Sequence, residues 1–188
     1  WCAKDKDEEL RQLVSLGAIL TQRTSWRNAD MALRNLKRKN ILSLTSLSKI
    51  SDPSAIAHLT HPAGFHNTKP KRLIEFSKFV IKSFGSLEKM KHRPLQDLRT
   101  MLLDVYGIGP ETADTILLYT LDIPSFVIDS YTRRWLQKKG FPKHDVSYDE
   151  LKVQFEVKLP RDLEIFQNYH ILIIVDQKGK EGSKMEIV

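Results

Sequence analysis

"DVYGIGPETAD", residues 104–114, places two glycines and a proline between segments that otherwise have helical patterns. Gly107 and Gly109 flank one apolar residue, and Pro110 stands where the next helix would begin. Glycine adopts backbone angles closed to other residues, and proline is tolerated in the first turn of a helix. The pattern predicts a tight turn with outward-facing amides at a helix N-terminus, where a phosphate can bind. Taken alone, it is equally typical of a plain connector between packed helices.

Helical periodicity recurs along the rest of the chain. Apolar residues follow three- and four-residue spacing in segments 8–22, 26–38 and 113–120, which is the period of an amphipathic helix. About nine to eleven short helices are expected from such segments and their Gly and Pro boundaries. The β-branched run ILIIV, residues 171–175, could form a strand, but no partner strand is evident. We therefore predict an all-α fold.

The overall charge favours one kind of partner. The 188 residues contain 30 Lys and Arg against 23 Asp and Glu, a net charge of +7. Such a surplus favours a polyanion, with nucleic acid first, although a basic protein without such a partner would share it. The one cysteine, Cys2, excludes an internal disulfide or a thiolate-built metal cluster in this sequence, so we expect no metal and no cofactor. Without a secretory signal or a bilayer-spanning run, we expect an intracellular protein with no membrane partner.

The hairpin and the residues after it resemble a known family. In LLDVYGIGPETADTILLY, residues 102–119, apolar helical segments stand on both sides of the turn, as in a helix–hairpin–helix that grips the DNA backbone. This stretch resembles the hairpin of the endonuclease III superfamily of DNA glycosylases. Asp129, 18 residues after Glu111, matches the aspartate that follows the hairpin in that family. Three more stretches look like family segments in the same order: LGAILTQRTSW (16–26), GFHNTKPKRL (64–73) and NYHILIIVDQKGK (168–180).

The resemblance implies two helical lobes with a DNA-binding cleft between them. Residues 25–120 would form a central lobe that ends in the helix–hairpin–helix. Residues 1–24 together with 121–188, from both chain ends, would form the second lobe. Asp129 is expected at the mouth between the lobes.

Two departures from the family pattern indicate the subclass. In members that also cut the strand, position 111 holds a lysine that attacks the sugar, whereas Glu111 cannot form an imine. Many members end in a four-cysteine iron–sulfur loop, whereas residues 179–188 read GKEGSKMEIV. Both features are similar to the monofunctional 3-methyladenine DNA glycosylases of the endonuclease III type. The implied activity is hydrolysis of the N-glycosidic bond of a damaged base, an alkylated purine first, without AP-lyase activity.

Asp129 is the catalytic residue that the resemblance implies. Its carboxylate would stabilise positive charge on the deoxyribose and orient or deprotonate the attacking water. Because Asp129 directly precedes Ser130 and a predicted helix, it also fits an N-cap. The two roles are compatible, since a cap would hold the carboxylate rigidly.

The remaining candidate residues divide between a base pocket and a DNA surface. Trp26 could stack on a cationic methylated base or be an ordinary core aromatic. Glu111 could adjoin the pocket or only compensate the helix dipole. Lys178 could lie near the pocket or be a solvated lysine, and Trp1 could be part of an N-terminal aromatic segment facing the pocket. The histidines, His170 among them, are interpreted as structural or surface residues. The predicted DNA contacts are Gln22, which would fill the gap left by a flipped base, and Gly107, Ile108, Gly109, Thr112, Lys69 and Lys71.

Other functions are compatible with the same sequence. The pocket could take mismatched uracil or thymine, or oxidised bases, and a lyase could use a different lysine. A non-catalytic DNA-binding protein could keep the hairpin alone. For the preferred function, the expected partner is double-stranded DNA with a damaged base. We expect a monomer, associated with the nucleoid in a prokaryotic cytoplasm.

Overall fold

The regular structure of the chain is helical. The computed structural model describes residues 2–3, 5–141 and 146–179, and no strand occurs among them. This confirms the predicted all-α fold. The β-branched run 171–175 lies inside the helix Leu163–Lys178, so the possible strand is not formed.

Two compact units divide the chain, Trp1–Ile123 and Pro124–Val188. This division differs from the predicted one, because the first long helix packs inside the first unit rather than with the C-terminal residues. The helices of the first unit are α1 Glu8–Leu20, α2 Trp26–Arg38, α3 Leu44–Ser48, α4 Ser54–Thr60, α5 Lys69–Ser83, α6 Leu87–Met90, α7 Leu95–Leu103 and α8 Pro110–Thr115. Those of the second unit are α9 Ser130–Lys138, α10 Tyr148–Lys158 and α11 Leu163–Lys178.

The first unit is built around the predicted apolar stripes. Helix α1 buries Leu16, Ile19 and Leu20 in the same core to which α2 contributes its buried stripe. Gly17 lets the two helices approach, because a Cβ there would stand 3.1 Å from the indole of Trp26. Burying each large apolar side chain contributes about 1.5–3 kcal/mol, so this core stabilises the unit.

The hairpin consists of α7, the turn at 104–109 and α8. Helix α8 begins at Pro110 and continues as a π-helical turn, Ile116–Thr120. Asp114 is fully buried and accepts two hydrogen bonds from the Arg99 guanidinium, at 3.0 and 3.2 Å. This bidentate pair joins the two helices of the hairpin and fixes the turn between them.

Buried Arg11 ties α1 to the end of the hairpin. Its Nη1 donates to the carbonyl oxygen of Thr120, the last residue of the π-helical turn. The same nitrogen lies 2.7 Å from Oδ2 of Asp122, which neutralises the buried charge. A cation near a helix C-terminus is favourable because it meets the negative end of the helix dipole.

The second unit packs around Phe126. Its ring stacks on Phe155 of α10, with centroids 4.4 Å apart, and meets Phe166 of α11 edge-on at 5.5 Å. Stacked and edge-on aromatic pairs add to the stabilisation from burial. The segment 124–129 that carries Phe126 is extended and leads directly into α9.

No helix in the described part of the chain is both long and apolar enough to cross a membrane.

The Arg99–Asp114 pair gives a test of the hairpin's stability. We expect Asp114→Asn to lower the free energy of unfolding by about 3 kcal/mol, because the partly buried Arg99 guanidinium loses a bidentate pair with a fully buried carboxylate. Asp30→Asn is the matched control, since Asp30 pairs with the more exposed Arg34 one helical turn away and the change should cost less than about 0.5 kcal/mol. Urea unfolding measures both. A loss below about 1 kcal/mol for Asp114→Asn would contradict this role.

Candidate active site and nucleic-acid interface

Asp129 caps helix α9. Its Oδ1 accepts hydrogen bonds from the backbone nitrogen of Thr132 at 2.7 Å and from the Thr132 hydroxyl at 3.0 Å. The predicted cap is therefore confirmed, and it holds the carboxylate in one orientation. The side chain of Asp129 is 13% exposed, so solvent reaches it.

The second oxygen of Asp129 faces a histidine on α11. Nε2 of His170 lies 3.4 Å from Oδ2, and His170 is buried. Burial by itself raises the pKa of Asp129, but the hydrogen bonding and charge of His170, with the two bonds from Thr132, hold that pKa below its ordinary value. Asp129 is therefore an ionised carboxylate at neutral pH.

Helix α10 fixes the extended segment that leads to Asp129. Phe126 donates its backbone N–H to Glu156 Oε1 at 2.8 Å, and the Lys152 ammonium donates to the Ser125 hydroxyl at 2.7 Å. Lys152 also pairs with Glu156, which neutralises the buried ammonium. The four-residue spacing of these two side chains places them on the same face of α10.

The two glycines of the hairpin turn differ in whether the fold itself requires glycine at that position. Gly107 has φ +78°, and a Cβ there would stand 2.5 Å from the Arg72 side chain, so the fold itself requires glycine. Gly109 has φ −93°, and a Cβ would meet nothing within 4 Å. Among the described residues, therefore, nothing demands glycine at 109, and its backbone borders open space.

Gln22 is bound to the hairpin. Its Nε2 donates to the carbonyl oxygen of Gly107 at 3.0 Å and to the Thr112 hydroxyl at 2.8 Å. Its Oε1 accepts from Nη1 of Arg72, the side chain that covers Gly107. The structure thus brings together three residues that were predicted to contact DNA, Gln22, Gly107 and Thr112. The side chain of Arg72 packs against the first two.

Ile108 and Lys69 do not fit direct DNA contact. Ile108 is buried, and its backbone N–H donates to Val105, so this residue anchors the turn in the core. Lys69 is fully buried, and its ammonium donates to the carbonyl oxygens of Leu20 at 2.7 Å and Ala63 at 2.6 Å. The positive charge of Lys69 was the reason for predicting a phosphate contact, but its ammonium instead joins the end of α1 to Ala63.

Lys71 does fit a surface role. The residue is exposed, and its Nζ lies 4.3 Å from the ring centroid of Tyr106 in the hairpin turn. Tyr106 is itself 47% exposed. A cation beside an exposed aromatic ring can contact both phosphates and bases.

The predicted pocket residues that the structure describes belong to different helices. Trp26 begins α2 and packs on Gly17 at the edge of the first core, as the ordinary-aromatic interpretation expected. Glu111 is the exposed second residue of α8. Lys178 ends α11, with Nζ 5.3 Å from the ring centroid of Tyr131 in the first turn of α9. Trp1 lies outside the described residues.

Sequence reasoning missed several residues of these arrangements, among them Thr132, His170 and Arg72. Thr132 had a local signal, because a hydroxyl residue three positions after an aspartate can join its cap. His170 and Arg72 had none, since each meets a partner at least 41 positions away in the chain.

Comparison with known proteins identifies the family. Residues 16–161 match the family described as HhH-GPD superfamily base excision DNA repair protein. The chain belongs to this superfamily of DNA glycosylases, as the hairpin and Asp129 indicated. A provisionally named DNA repair glycosylase of Methanocaldococcus jannaschii is 44% identical over 168 residues, which are 88% of this chain and 76% of that protein. Endonuclease III of Sulfolobus acidocaldarius is 26% identical over 90% of this chain and 74% of its own.

Solved structures share the fold. The H. pylori 3-methyladenine DNA glycosylase MagIII, bound to 1,N6-ethenoadenine, superimposes with a TM-score of 0.74 at 32% identity. The superposition covers 89% of this chain and 86% of MagIII. A non-covalent endonuclease III–DNA complex superimposes with a TM-score of 0.73 at 16% identity, over 100% of this chain and 80% of that one. At that identity, the likeness is one of fold.

The buried ammonium of Lys69 predicts a pH dependence of stability. Burial, followed by the charge of Arg72, lowers the pKa of Lys69 from 10.5 to about 8. The unfolded chain therefore binds more protons between pH 8 and 10.5, and the contribution of Lys69 to the free energy of unfolding rises across this window by up to about 3 kcal/mol. As pH falls through 8, that contribution is lost.

Lys69→Met removes this proton linkage. We expect the free energy of unfolding of the parent minus that of the variant, both measured by urea unfolding, to rise between pH 8 and pH 10. Lys71→Met is the control, because Lys71 is exposed, and its difference should stay constant. A constant difference for Lys69→Met as well would mean that Lys69 keeps an ordinary lysine pKa.

Proposed function

We propose that the protein is a monofunctional DNA glycosylase that hydrolyses the N-glycosidic bond of an alkylated purine, of the 3-methyladenine type. The observation that carries the proposal is an ionised, capped and partly exposed Asp129 in a chain whose position 111 holds glutamate. The likeness to MagIII at 32% identity supports the substrate class.

The reaction begins with extrusion of the damaged nucleotide. A base inside a stacked duplex is inaccessible, so the enzyme must flip it out at a cost of a few kcal/mol. Binding of the DNA backbone offsets that cost. The hairpin turn at Gly107–Gly109 and the exposed Lys71 are the groups we assign to this grip, with Gln22 beside them.

Asp129 acts at the sugar. As the bond to the base breaks, positive charge develops on the deoxyribose ring, and a fixed carboxylate stabilises it more effectively than mobile water would. The same carboxylate orients or deprotonates the water that attacks the sugar. Because Thr132 occupies Oδ1, Oδ2 is the oxygen with capacity for these tasks.

An alkylated purine suits a site with one carboxylate. A base alkylated at N3 or N7 is already cationic and leaves as a neutral molecule, so it needs no general acid. A normal or oxidised base leaves less readily and calls for a proton donor at the base.

We infer that no lyase step occurs from the chemistry of two side chains, Glu111 and Lys69. Glu111 cannot form an imine with the sugar. Lys69 has a lowered pKa, which favours a nucleophilic amine, but it is fully buried with its ammonium on two carbonyl oxygens. We therefore expect base release without strand cleavage, by a monomer acting on chromosomal DNA in a prokaryotic cytoplasm.

The direct test uses methylated duplex DNA, with base release and strand breaks measured separately. We expect the parent protein to release methylated purines and to leave the strand intact until alkali is added. Asp129→Asn should slow release by about a hundredfold or more, because the amide cannot stabilise a cationic sugar. Asp30→Asn, a surface carboxylate change on α2, should leave the rate unchanged.

Three results would contradict parts of this proposal. Nicking that accompanies release, with a DNA adduct trapped by borohydride, would show a lyase. Release of uracil, thymine or oxidised bases in preference to methylated purines would change the substrate class. Salt-dependent DNA binding with no release of any base would indicate a binding protein that only keeps the hairpin.

Substitutions at the two hairpin glycines distinguish an effect on DNA binding from an effect on folding. Gly109→Ala should leave the free energy of unfolding within about 0.5 kcal/mol, because its φ and its surroundings accept a methyl group. It should nevertheless weaken duplex binding about tenfold, because the methyl group holds a phosphate away from the turn.

Gly107→Ala is the matched comparison. It should destabilise the fold by about 1–2 kcal/mol, since alanine is strained at positive φ and Arg72 must move. Chemical denaturation and fluorescence anisotropy with labelled duplex measure the two effects. Unchanged DNA affinity in Gly109→Ala would remove the turn from the proposed DNA surface.

A further inference from the structure

The carboxylate of Asp129 is held on both of its oxygens. A carboxylate has about four lone-pair positions, two on each oxygen. The two bonds from Thr132 occupy Oδ1, and Nε2 of His170 stands 3.4 Å from Oδ2. One position on Oδ2 is left for water or for a cationic sugar, and His170 is the neighbour that shares this oxygen.

His170 is placed to act through Asp129 rather than on the substrate. It lies on α11, is 5% exposed, and its ring stands 6.4 Å from the ring of Phe126 in an edge-on orientation. Helices α9 and α11 pack on each other, so the contact joins the capped end of one helix to the middle of another. The chain positions of the two residues, 41 apart, make this contact a product of the fold.

We propose that His170 is a positioning residue that holds Oδ2 of Asp129 for the glycosylase reaction. This inference rests on the proposed function, in which Asp129 stabilises the sugar cation. His170 keeps the carboxylate from turning about its Cβ–Cγ bond and, by lowering the pKa of Asp129, favours the ionised form. The reaction then stays active at lower pH than it would with a buried carboxylate lacking this neighbour.

Other ionisable side chains around this pair have contacts of their own. Tyr131 on α9 lies beside Lys178 and Arg134, with Nζ 5.3 Å and Cζ 4.5 Å from its ring centroid. Tyr169, adjacent to His170, meets Trp135 of α9 edge-on at 6.2 Å. Further charged or titratable groups on these elements also have partners of their own. They include Arg133, which donates to Val146, Tyr148, which accepts from Ile128, Lys152 and Glu156, which pair, Lys139, beside Trp135, Glu150, which accepts from Ser147, Asp162, which accepts from Ile165, and Asp176, which accepts from Gln177.

Two substitutions separate the polar contact that Nε2 makes with Oδ2 from the positive charge that an imidazole can carry. His170→Gln keeps a donor near the position of Nε2 but cannot be charged, and His170→Phe keeps the ring and removes both. We expect the single-turnover rate of base release from methylated duplex to fall about tenfold to a hundredfold in His170→Phe, with unchanged duplex affinity. The loss in His170→Gln should be smaller. The acid limb of the pH–rate profile should move upward by about one pH unit in His170→Phe and by less in His170→Gln.

A second readout needs no activity. Carbon-13 NMR of the Asp129 carboxyl, assigned with Asp129→Asn, reports its titration in the free protein. We expect the midpoint to rise in the order parent, His170→Gln, His170→Phe. His92→Gln is the control, because the His92 side chain is 71% exposed, and both readouts should stay as in the parent.

The outcomes distinguish this inference from the proposed function. An unchanged Asp129 titration in both His170 variants overturns the positioning role, even if the rate falls, because the loss would then come from packing alone. If the Asp129 titration shifts in the His170 variants but the parent protein releases no base, the effect of His170 on Asp129 is supported and the glycosylase proposal is contradicted. If His170→Phe does not fold, His170→Gln decides the question.

Discussion

Oδ1 of Asp129 accepts hydrogen bonds from the backbone nitrogen and the hydroxyl of Thr132, and every chemical role proposed for this carboxylate depends on that cap. A free aspartate side chain turns among rotamers, and ordering it during a reaction would cost free energy. The cap has already fixed it as part of folding helix α9. The helix N-terminus also favours the negative charge, so the same interaction serves stability and, in the proposed function, catalysis.

The supports of Asp129 come from each of the three helices described in its unit. Helix α9 supplies the cap, α11 supplies His170, and α10 fixes the preceding segment through Lys152 and Glu156. The glycines of the hairpin follow a parallel logic in the first unit. Gly107 is required by the fold, and Gly109 is free of such a requirement. Because the fold does not require glycine at 109, we attribute that glycine to the proposed contact with a DNA phosphate.

Local signals made much of this predictable from the sequence. The apolar stripes of α1 and α2, the turn before Pro110 and the cap at Asp129 each depend on residues a few positions apart, and such patterns can be read directly. The β-branched run 171–175 was ambiguous for the same reason, because only tertiary packing decides between a buried helix and a strand.

Contacts between residues far apart in the chain could not be predicted from the sequence. Lys69 was assigned to the DNA surface from its charge, yet it is fully buried and donates to the carbonyl oxygens of Ala63 and of Leu20, which lies 49 positions away. His170 had no metal-ligand spacing and was interpreted as structural, because nothing local connects it to Asp129. Arg72 became visible only through its contacts with Gly107 and Gln22. In each case the partner is set by the packing of helices, which no short pattern encodes.

The central claim is that Asp129 stabilises a positively charged sugar. The most direct measurement compares the affinity of the protein for two duplexes, one with a cationic pyrrolidine in place of the deoxyribose and one with a neutral tetrahydrofuran. The account predicts that the parent protein binds the cationic duplex at least about tenfold more tightly, since it mimics the transition state, and that Asp129→Asn removes the difference. Equal affinity of the parent for both duplexes would contradict the account.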